Sequence, residues 1–449
     1  MPKILFANPN SRAMVARPED IPPDVRPFYD AIGDRLLWTL ERGDLAVIPG
    51  AVNKEFLSYL AATLGLLPEE FTVLSLRDYG GAGWYPGDRP ELVAELRSRI
   101  EESGLGADQW TASCYLHDRD IAGWQRALGL DIELAGPFAQ NMVELVNTKS
   151  VFRAIALASG VPVPEGLVAD PGEELVDAVT GLLPRTGSVI VKQDQNSGGD
   201  GNVLITTDPD VVGLGAYQVL RLDRADRAAV HEALDGIGLA TPPSLPRYTC
   251  AARIIVEVYH PHSTTLSSEV YVPACTAPVL MNYGYMRMEP VWKGYVFPPQ
   301  DMPGPLHAEL CAHSQQIAIL AQRLGYQGLM NIDAVVDPAG RMLFTEFNGR
   351  AGGATNIDVI ARRLVGQDYM RSHVVMSHNS LPARSLAGLL DHLSGQDMLF
   401  APDRGSGVVV ATDSSTTTGT VEIVSFGTDR REAEQLETQV EEYLRGVGV

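Results

Sequence analysis

The run Leu329-Met330-Asn331-Ile332-Asp333-Ala334-Val335-Val336-Asp337-Pro338-Ala339-Gly340-Arg341-Met342-Leu343-Phe344-Thr345-Glu346-Phe347-Asn348-Gly349-Arg350 reads as two strands joined by a tight turn. Asp337-Pro338-Ala339-Gly340 has the residues of a β-turn, and both flanks are apolar and β-branched. If the turn pairs Val336 with Arg341, Asp333 lies opposite Phe344, one diagonal step from Glu346. Side chains alternate across a strand, so Asp333, Glu346 and Asn348 emerge on one face, the diagonal pair roughly 7–8 Å apart. Two carboxylates and an amide oxygen at that spacing suit Mg²⁺, which keeps waters and shares its shell with phosphates. Arg350 has the same parity and places a planar cation beside the proposed metal. Solvent-facing polar positions of an ordinary hairpin are the competing explanation for each acid alone.

Outward from this hairpin, the chain sets broad bounds. Its 449 residues leave room for about two to four domains. Hydrophobic residues make up 45% and charged residues 20%, the balance of a soluble globular protein. There is no apolar run of about eighteen residues, and Met1-Pro2-Lys3-Ile4-Leu5-Phe6 goes directly into a strand-like segment. These features lead to the expectation of a cytoplasmic protein without a membrane span. Cys114, Cys250, Cys275 and Cys311 are far apart, with no CxxC pair, which argues against zinc and disulfides. A formal charge of −21 makes nucleic acid an improbable partner. A nucleotide is still compatible, because a few local cations and a metal decide that contact.

Residues up to about 140 alternate apolar runs with helical patterns, the order of a parallel α/β sheet. The glycines from Gly80 to Gly87 do not make a dinucleotide fingerprint, since Pro86 occupies the place of the third glycine. A helix is predicted from Thr148 to Gly160 and puts Lys149 in its first turn, where a cation is disfavoured unless an anion is present. Ser188-Val189-Ile190-Val191-Lys192-Gln193 is a buried-type strand ending on a lysine. It runs into a turn containing Gly198, Gly199 and Gly201, whose backbone N–H groups can wrap phosphate oxygens beside Lys192. The Walker spacing is absent, and a plain hairpin turn explains the glycines equally well.

Residues from Asp208 to about Pro246 read as helical. Arg253 to Tyr259 is a strand able to offer its backbone to a flat heterocycle, with Glu257 as an acceptor for an amine or a sugar hydroxyl. His307 to Leu324 is an amphipathic helix. From about Gly405, two strands and a helix suggest a small β-β-α cap.

Taken in order, Lys149, Lys192 with its glycine loop, the 253–259 strand, and Asp333, Glu346, Asn348 and Arg350 resemble the ATP-grasp superfamily. The resemblance covers roughly residues 145–380, and Glu346-x-Asn348-x-Arg350 is its most specific part. More narrowly, the chain resembles peptide ligases of pheganomycin-type antibiotic biosynthesis, whose C-terminal β-β-α extension matches residues 405–449. The implied fold class is α/β: a Rossmann-like pre-grasp domain (1–145), a two-lobed grasp (146–260 with the glycine loop, 261–400 with the metal ligands) and a C-terminal extension (401–449).

The resemblance implies an ADP-forming ligase that activates an amino-acid carboxylate as an acyl phosphate and joins it to the amine of an amino acid or peptide. Lys149 and Lys192 would bind the α- and β-phosphates of ATP, and the Gly198, Gly199 and Gly201 loop would close over them. Glu257, Val258 and Tyr259 would hold the adenine, with Glu269 at the nucleotide's edge. Val258 stands where relatives carry a second acid, which removes the usual ribose partner. Asp333, Glu346 and Asn348 would carry Mg²⁺ (or Mn²⁺), Arg350 would steady the acyl phosphate, and Arg287 would assist it. A ligase for a non-peptide amine and a non-catalytic ATP-binding regulator are the alternatives. A homodimer is the prior for a soluble enzyme.

Overall fold

The computed structural model describes residues 1–9, 11, 26–80, 83–130, 135–195, 201–240 and 253–446. Lys3–Phe6 (β1), Leu45–Ile48 (β2), Thr72–Ser75 (β3) and Thr111–Cys114 (β4) form a parallel sheet in the order β3-β2-β1-β4. β1 and β2 are short apolar runs because helices cover the sheet, so alternation has no solvent face to serve. Among the described residues, no helix is long and apolar enough to cross a membrane.

A second sheet contains Gly166–Ala169 (β5), Ser188–Gln193 (β6), Val203–Thr206 (β7), Gln218–Arg221 (β8) and Ile254–Val258 (β9), ordered β5-β9-β6-β7-β8. Helix Glu173–Thr186 covers it and closes a separate apolar core around Leu175, Val179, Leu183, Val191, Ile205 and Val256. β8 corrects the expectation of continuous helix after Asp208. Its four residues pair with the edge of β7, and helix Arg227–Asp235 begins only beyond them, capped by Asp226. Edge pairing overrides the weak helical propensity of so short a segment.

The third sheet is antiparallel and has eight strands: Thr264–Val272 (β10), Val279–Met288 (β11), Trp292–Phe297 (β12), Gly328–Val336 (β13), Met342–Asn348 (β14), Val374–Pro382 (β15), Gly407–Ser414 (β16) and Thr420–Gly427 (β17). Their order is β14-β13-β10-β11-β12-β15-β17-β16. The expected β-β-α unit is present as β16, β17 and helix Arg430–Gly446. It is not set apart, however. β17 pairs with β15, so a boundary at residue 401 falls inside one continuous sheet. A single apolar core, including Leu5, Trp38, Phe152, Phe344 and Val424, joins this sheet to the first domain.

Candidate functional site

β13 and β14 form the expected hairpin, but in a different register. Val336 pairs with Met342 and Ala334 with Phe344, and a bulge then brings Asp333 directly opposite Glu346 and Asn331 opposite Asn348. The extra residue, Thr345, donates from Oγ1 to the Asp333 carbonyl at 3.2 Å. A bulge adds one residue to one strand and leaves the apolar pattern on both sides intact, so the sequence pattern could not register it. Its effect is to bring the two carboxylates closer than the diagonal pairing predicts.

Glu346 accepts an ion pair from Lys149 Nζ at 2.9 Å. Lys149 begins helix Lys149–Ser159, which ends at Gly160 in the left-handed conformation. Asp194, just beyond β6, caps that helix: Ser150 N donates to its Oδ1 at 2.7 Å and Ser150 Oγ to its Oδ2 at 2.9 Å. The capping carboxylate offsets the helix dipole and ties the Lys149 helix to the strand that carries Lys192.

Burial and then the neighbouring Glu346 push the Asp333 carboxyl up. Burial acts the same way on Glu346, but Lys149, then Lys192 and Arg350, outweigh it and hold that carboxylate down. Asp333 Oδ1 is buried with no hydrogen-bond partner among the described residues. Asn348 Nδ2 donates to Asp333 Oδ2 at 3.4 Å, and Asn348 Oδ1 accepts from Arg350 Nη2 at 2.9 Å. An orphaned carboxylate oxygen facing a second carboxylate is a hard-oxygen donor set that fits a divalent cation such as Mg²⁺. For Asn348 to join through its oxygen, its amide would take the flipped orientation.

These groups line a cavity of about 860 Å³ that also reaches Lys192, Val258, Tyr259 and Arg350. Gly201 is in the left-handed region (φ +74°), as a glycine turn between β6 and β7 requires. Gly198 and Gly199 lie outside the described residues. Glu257 is 3% exposed and faces the cavity, yet both its oxygens are engaged: Lys192 Nζ at 2.6 Å and Arg153 Nη1 at 2.9 Å. The N–H groups of Val258 and Tyr259 donate to the carbonyls of Glu165 and Ser188. The Tyr259 hydroxyl donates to the Val212 carbonyl and accepts from Leu214 N, both at 2.9 Å.

Two expected residues stand elsewhere. Arg287 does not line the cavity; it makes a two-pronged ion pair with Glu437 of helix Arg430–Gly446, at 2.6 and 2.7 Å. Strand alternation explains this, because Met286 and Met288 take the cavity side and turn Arg287 toward the helix. Glu269 sits behind the wall, buried against Asn282, Asn331 and Thr355, and burial pushes its carboxyl up to about 7.

Several wall residues were not singled out from the sequence: Phe28, Arg35 and Tyr115 from the first domain, Trp292 from β12, and Thr412 and Glu422 from β16 and β17. One signal was available in the pair following Arg350. A Cβ on Gly352 would fall 2.5 Å from Asn331 Nδ2, and one on Gly353 2.5 Å from Trp292 Cη2. Those glycines admit a polar side chain and an aromatic ring against the backbone. His378, at the rim, pairs through Nδ1 with Glu437 at 3.0 Å and Glu441 at 2.9 Å.

Residues 33–130 match the family model of the pre-ATP-grasp domain, and residues 389–440 match that of the PGM1 C-terminal domain. No curated protein matches the chain. Among solved structures, the chain is similar to N5-carboxyaminoimidazole ribonucleotide synthetase in an ADP complex (12% identity, TM-score 0.57, covering 99% of this chain and 98% of that one). It is also similar to L-amino acid ligase from Bacillus licheniformis (13%, 0.53, 98% and 97%). A third similar structure is the biotin carboxylase domain of Hydrogenobacter thermophilus 2-oxoglutarate carboxylase with MgADP and bicarbonate (10%, 0.53, 95% and 86%). At such identities the likeness establishes the fold, which is that of ATP-grasp proteins.

Proposed function

We propose that the chain is an ATP-dependent, ADP-forming carboxylate–amine ligase that joins an amino-acid carboxylate to the amine of an amino acid or short peptide. The observation that carries this reading is the facing pair Asp333 and Glu346, flanked by Asn348 and Arg350 and linked by Lys149 to the lobe that bears Lys192. The similarity to an L-amino acid ligase over nearly the full length of both chains supports it. The β-β-α end of the chain supports the narrower reading of a pheganomycin-type peptide ligase.

In this reading, Asp333, Glu346 and Asn348 would hold magnesium, which when bound would supply positive charge beside the phosphates of ATP. Lys149, beside Glu346, and Lys192 would bind the phosphate chain. An oxygen of the substrate carboxylate attacks the γ-phosphorus, the bond to the β-phosphate oxygen breaks, and ADP leaves. The amine then attacks the carbonyl carbon and expels phosphate, leaving an amide and a released proton. Phosphoryl transfer needs alignment and charge neutralisation more than a protein nucleophile. The fork of Arg350, held by Asn348, suits the two negative oxygens of the acyl phosphate.

The test is phosphate release from MgATP or MnATP with pairs of standard amino acids, and mass spectrometry for products lighter by one water than the summed substrates. Amine-dependent phosphate release is expected. Nucleotide binding without any ADP would leave a non-catalytic nucleotide-binding protein in place of a ligase.

A further inference from the structure

Arg35 occupies an unusual position in the wall of the cavity. It belongs to the short 3-10 helix Gly33–Thr39, its side chain is 13% exposed, and it lines the cavity. Its Nε donates to Glu422 Oε2 at 2.8 Å, and its guanidinium lies over the Trp292 ring, 5.1 Å from the centroid. Trp292 is in turn held against the backbone at Gly353. Both Nη atoms have no hydrogen-bond partner among the described residues, and neither is an enclosed orphan.

Arg287 turns its whole fork to the Glu437 carboxylate. Arg35 offers Glu422 its Nε instead and keeps the paired Nη groups for the cavity. Glu422 is 2% exposed and also accepts from Asn356 Nδ2 at 3.4 Å, so the anchor itself is fixed. The ring below and the carboxylate beside it set both the tilt and the rotation of the guanidinium plane. A planar fork presented in this way matches the two oxygens of a carboxylate.

The position of Arg35 indicates which carboxylate. Arg35 and the acids Asp333 and Glu346 line the same cavity, and the Trp292 ring under Arg35 touches that of Tyr295, with centroids 5.4 Å apart. Tyr295 is close enough to Asp333 that, after burial, that charge is the next cause raising its hydroxyl pKa. The carboxyl undergoing activation belongs at Asp333 and Glu346, where Lys149 is the paired cation, whereas Arg35 is held by Glu422 and Trp292, so a carboxylate bound at Arg35 is a different one. Met286, Met288 and Phe28 supply an apolar wall there.

We propose that Arg35, steered by Glu422 and Trp292, binds the free carboxylate of the amine-bearing substrate and so selects amino acids and short peptides as acceptors. This inference rests on the ligase reading. The test uses MgATP, the standard amino acids as donors, and L-alanine, di-L-alanine and tri-L-alanine as acceptors, each as the free acid and as its C-terminal carboxamide. Hydroxylamine trapping of the acyl phosphate reports donor activation without any acceptor, and coupling rates are normalised to it for each variant.

The wild type is expected to prefer the free acid over the carboxamide at least tenfold in kcat/KM, mainly through KM. Replacing Arg35 alone leaves Glu422 buried and unpaired, so the variant compared is the double substitution Arg35→Gln with Glu422→Gln, and Arg35→Lys should restore part of the preference. Loss of the acid preference in the double variant supports the inference. Equal use of acid and carboxamide by the wild type, or an undiminished preference in the variant, overturns it while the ligase reading stands. Absence of ADP under every condition removes the ligase reading and the acceptor site together.

Discussion

Glu257 separates two physical roles: a contact for the nucleotide, as the resemblance implies, and a clamp inside the second lobe, as its partners indicate. Its carboxylate sits 2.6 Å from Lys192 Nζ and 2.9 Å from Arg153 Nη1, and all three residues are less than 10% exposed. At an effective dielectric of about 20, each pair carries a gross attraction of about 6 kcal/mol, much of it offset by desolvation. Removing the shared anion leaves two buried cations facing each other, a change that typically costs about 3–5 kcal/mol. The second lobe has its own apolar core, so the loss should be local. In Glu257→Ala, amide exchange followed by mass spectrometry should quicken about 10²- to 10⁴-fold across β6 and β9, with β13 and β14 little changed. ATP titration calorimetry on the same variant should show weaker binding as a consequence of Lys192 losing its position. Unchanged exchange in β6 and β9 together with lost ATP affinity would refute the clamp and make Glu257 a direct nucleotide contact.

Glu346→Ala should abolish ADP formation and free Lys149 of its partner, and wild-type turnover by this variant in a coupled ADP assay would contradict the assignment. Arg350→Lys should lower the ligation rate more than ATP affinity, because an ammonium cannot reproduce a two-pronged contact; equal effects on both in parallel titrations would count against that role. Asp34 has a buried Oδ1 with no hydrogen-bond partner among the described residues, and burial, then Asp30 and Asp413, push its pKa up to about 8. Its folded-state value exceeds the unfolded one, so the folded protein holds the extra proton and stability falls as pH rises from about 4 to 8. Asp34→Asn should flatten that part of a Tm-against-pH profile, and an unaltered slope would show that Asp34 does not set it. Gly353→Ala places a Cβ 2.5 Å from Trp292 Cη2 and should destabilise the protein by about 1–3 kcal/mol while shifting tryptophan fluorescence.

The sequence exposed what depends on local pattern. The strands around Asp337-Pro338-Ala339-Gly340, the helix from Lys149 to Gly160, and the β-β-α end are each set by turn residues, caps and periodicity within about twenty positions. The bulge at Thr345 was invisible because it conserves that pattern on either side. That Arg287 turns to Glu437 rather than to the cavity was not legible, because the composition of a strand does not say which parity faces inward when both neighbours are methionines. The contacts among Arg35, Trp292 and Glu422 join three segments more than a hundred residues apart, and no local rule connects them. The cap that Asp194 places on the Lys149 helix is a tertiary contact of the same kind.

Because β16 and β17 extend the same sheet that carries Asp333 and Glu346, the chain's last fifty residues are not an appendage that trimming would leave harmless. Cutting after Pro382 would strip β15 of its neighbour and present a bare strand edge, an invitation to pair with other molecules. It would also take away Thr412 and Glu422 from the cavity. Variation confined to this end of the chain can therefore reshape one wall of the cavity while Lys149, Lys192, Asp333 and Glu346 stay as they are.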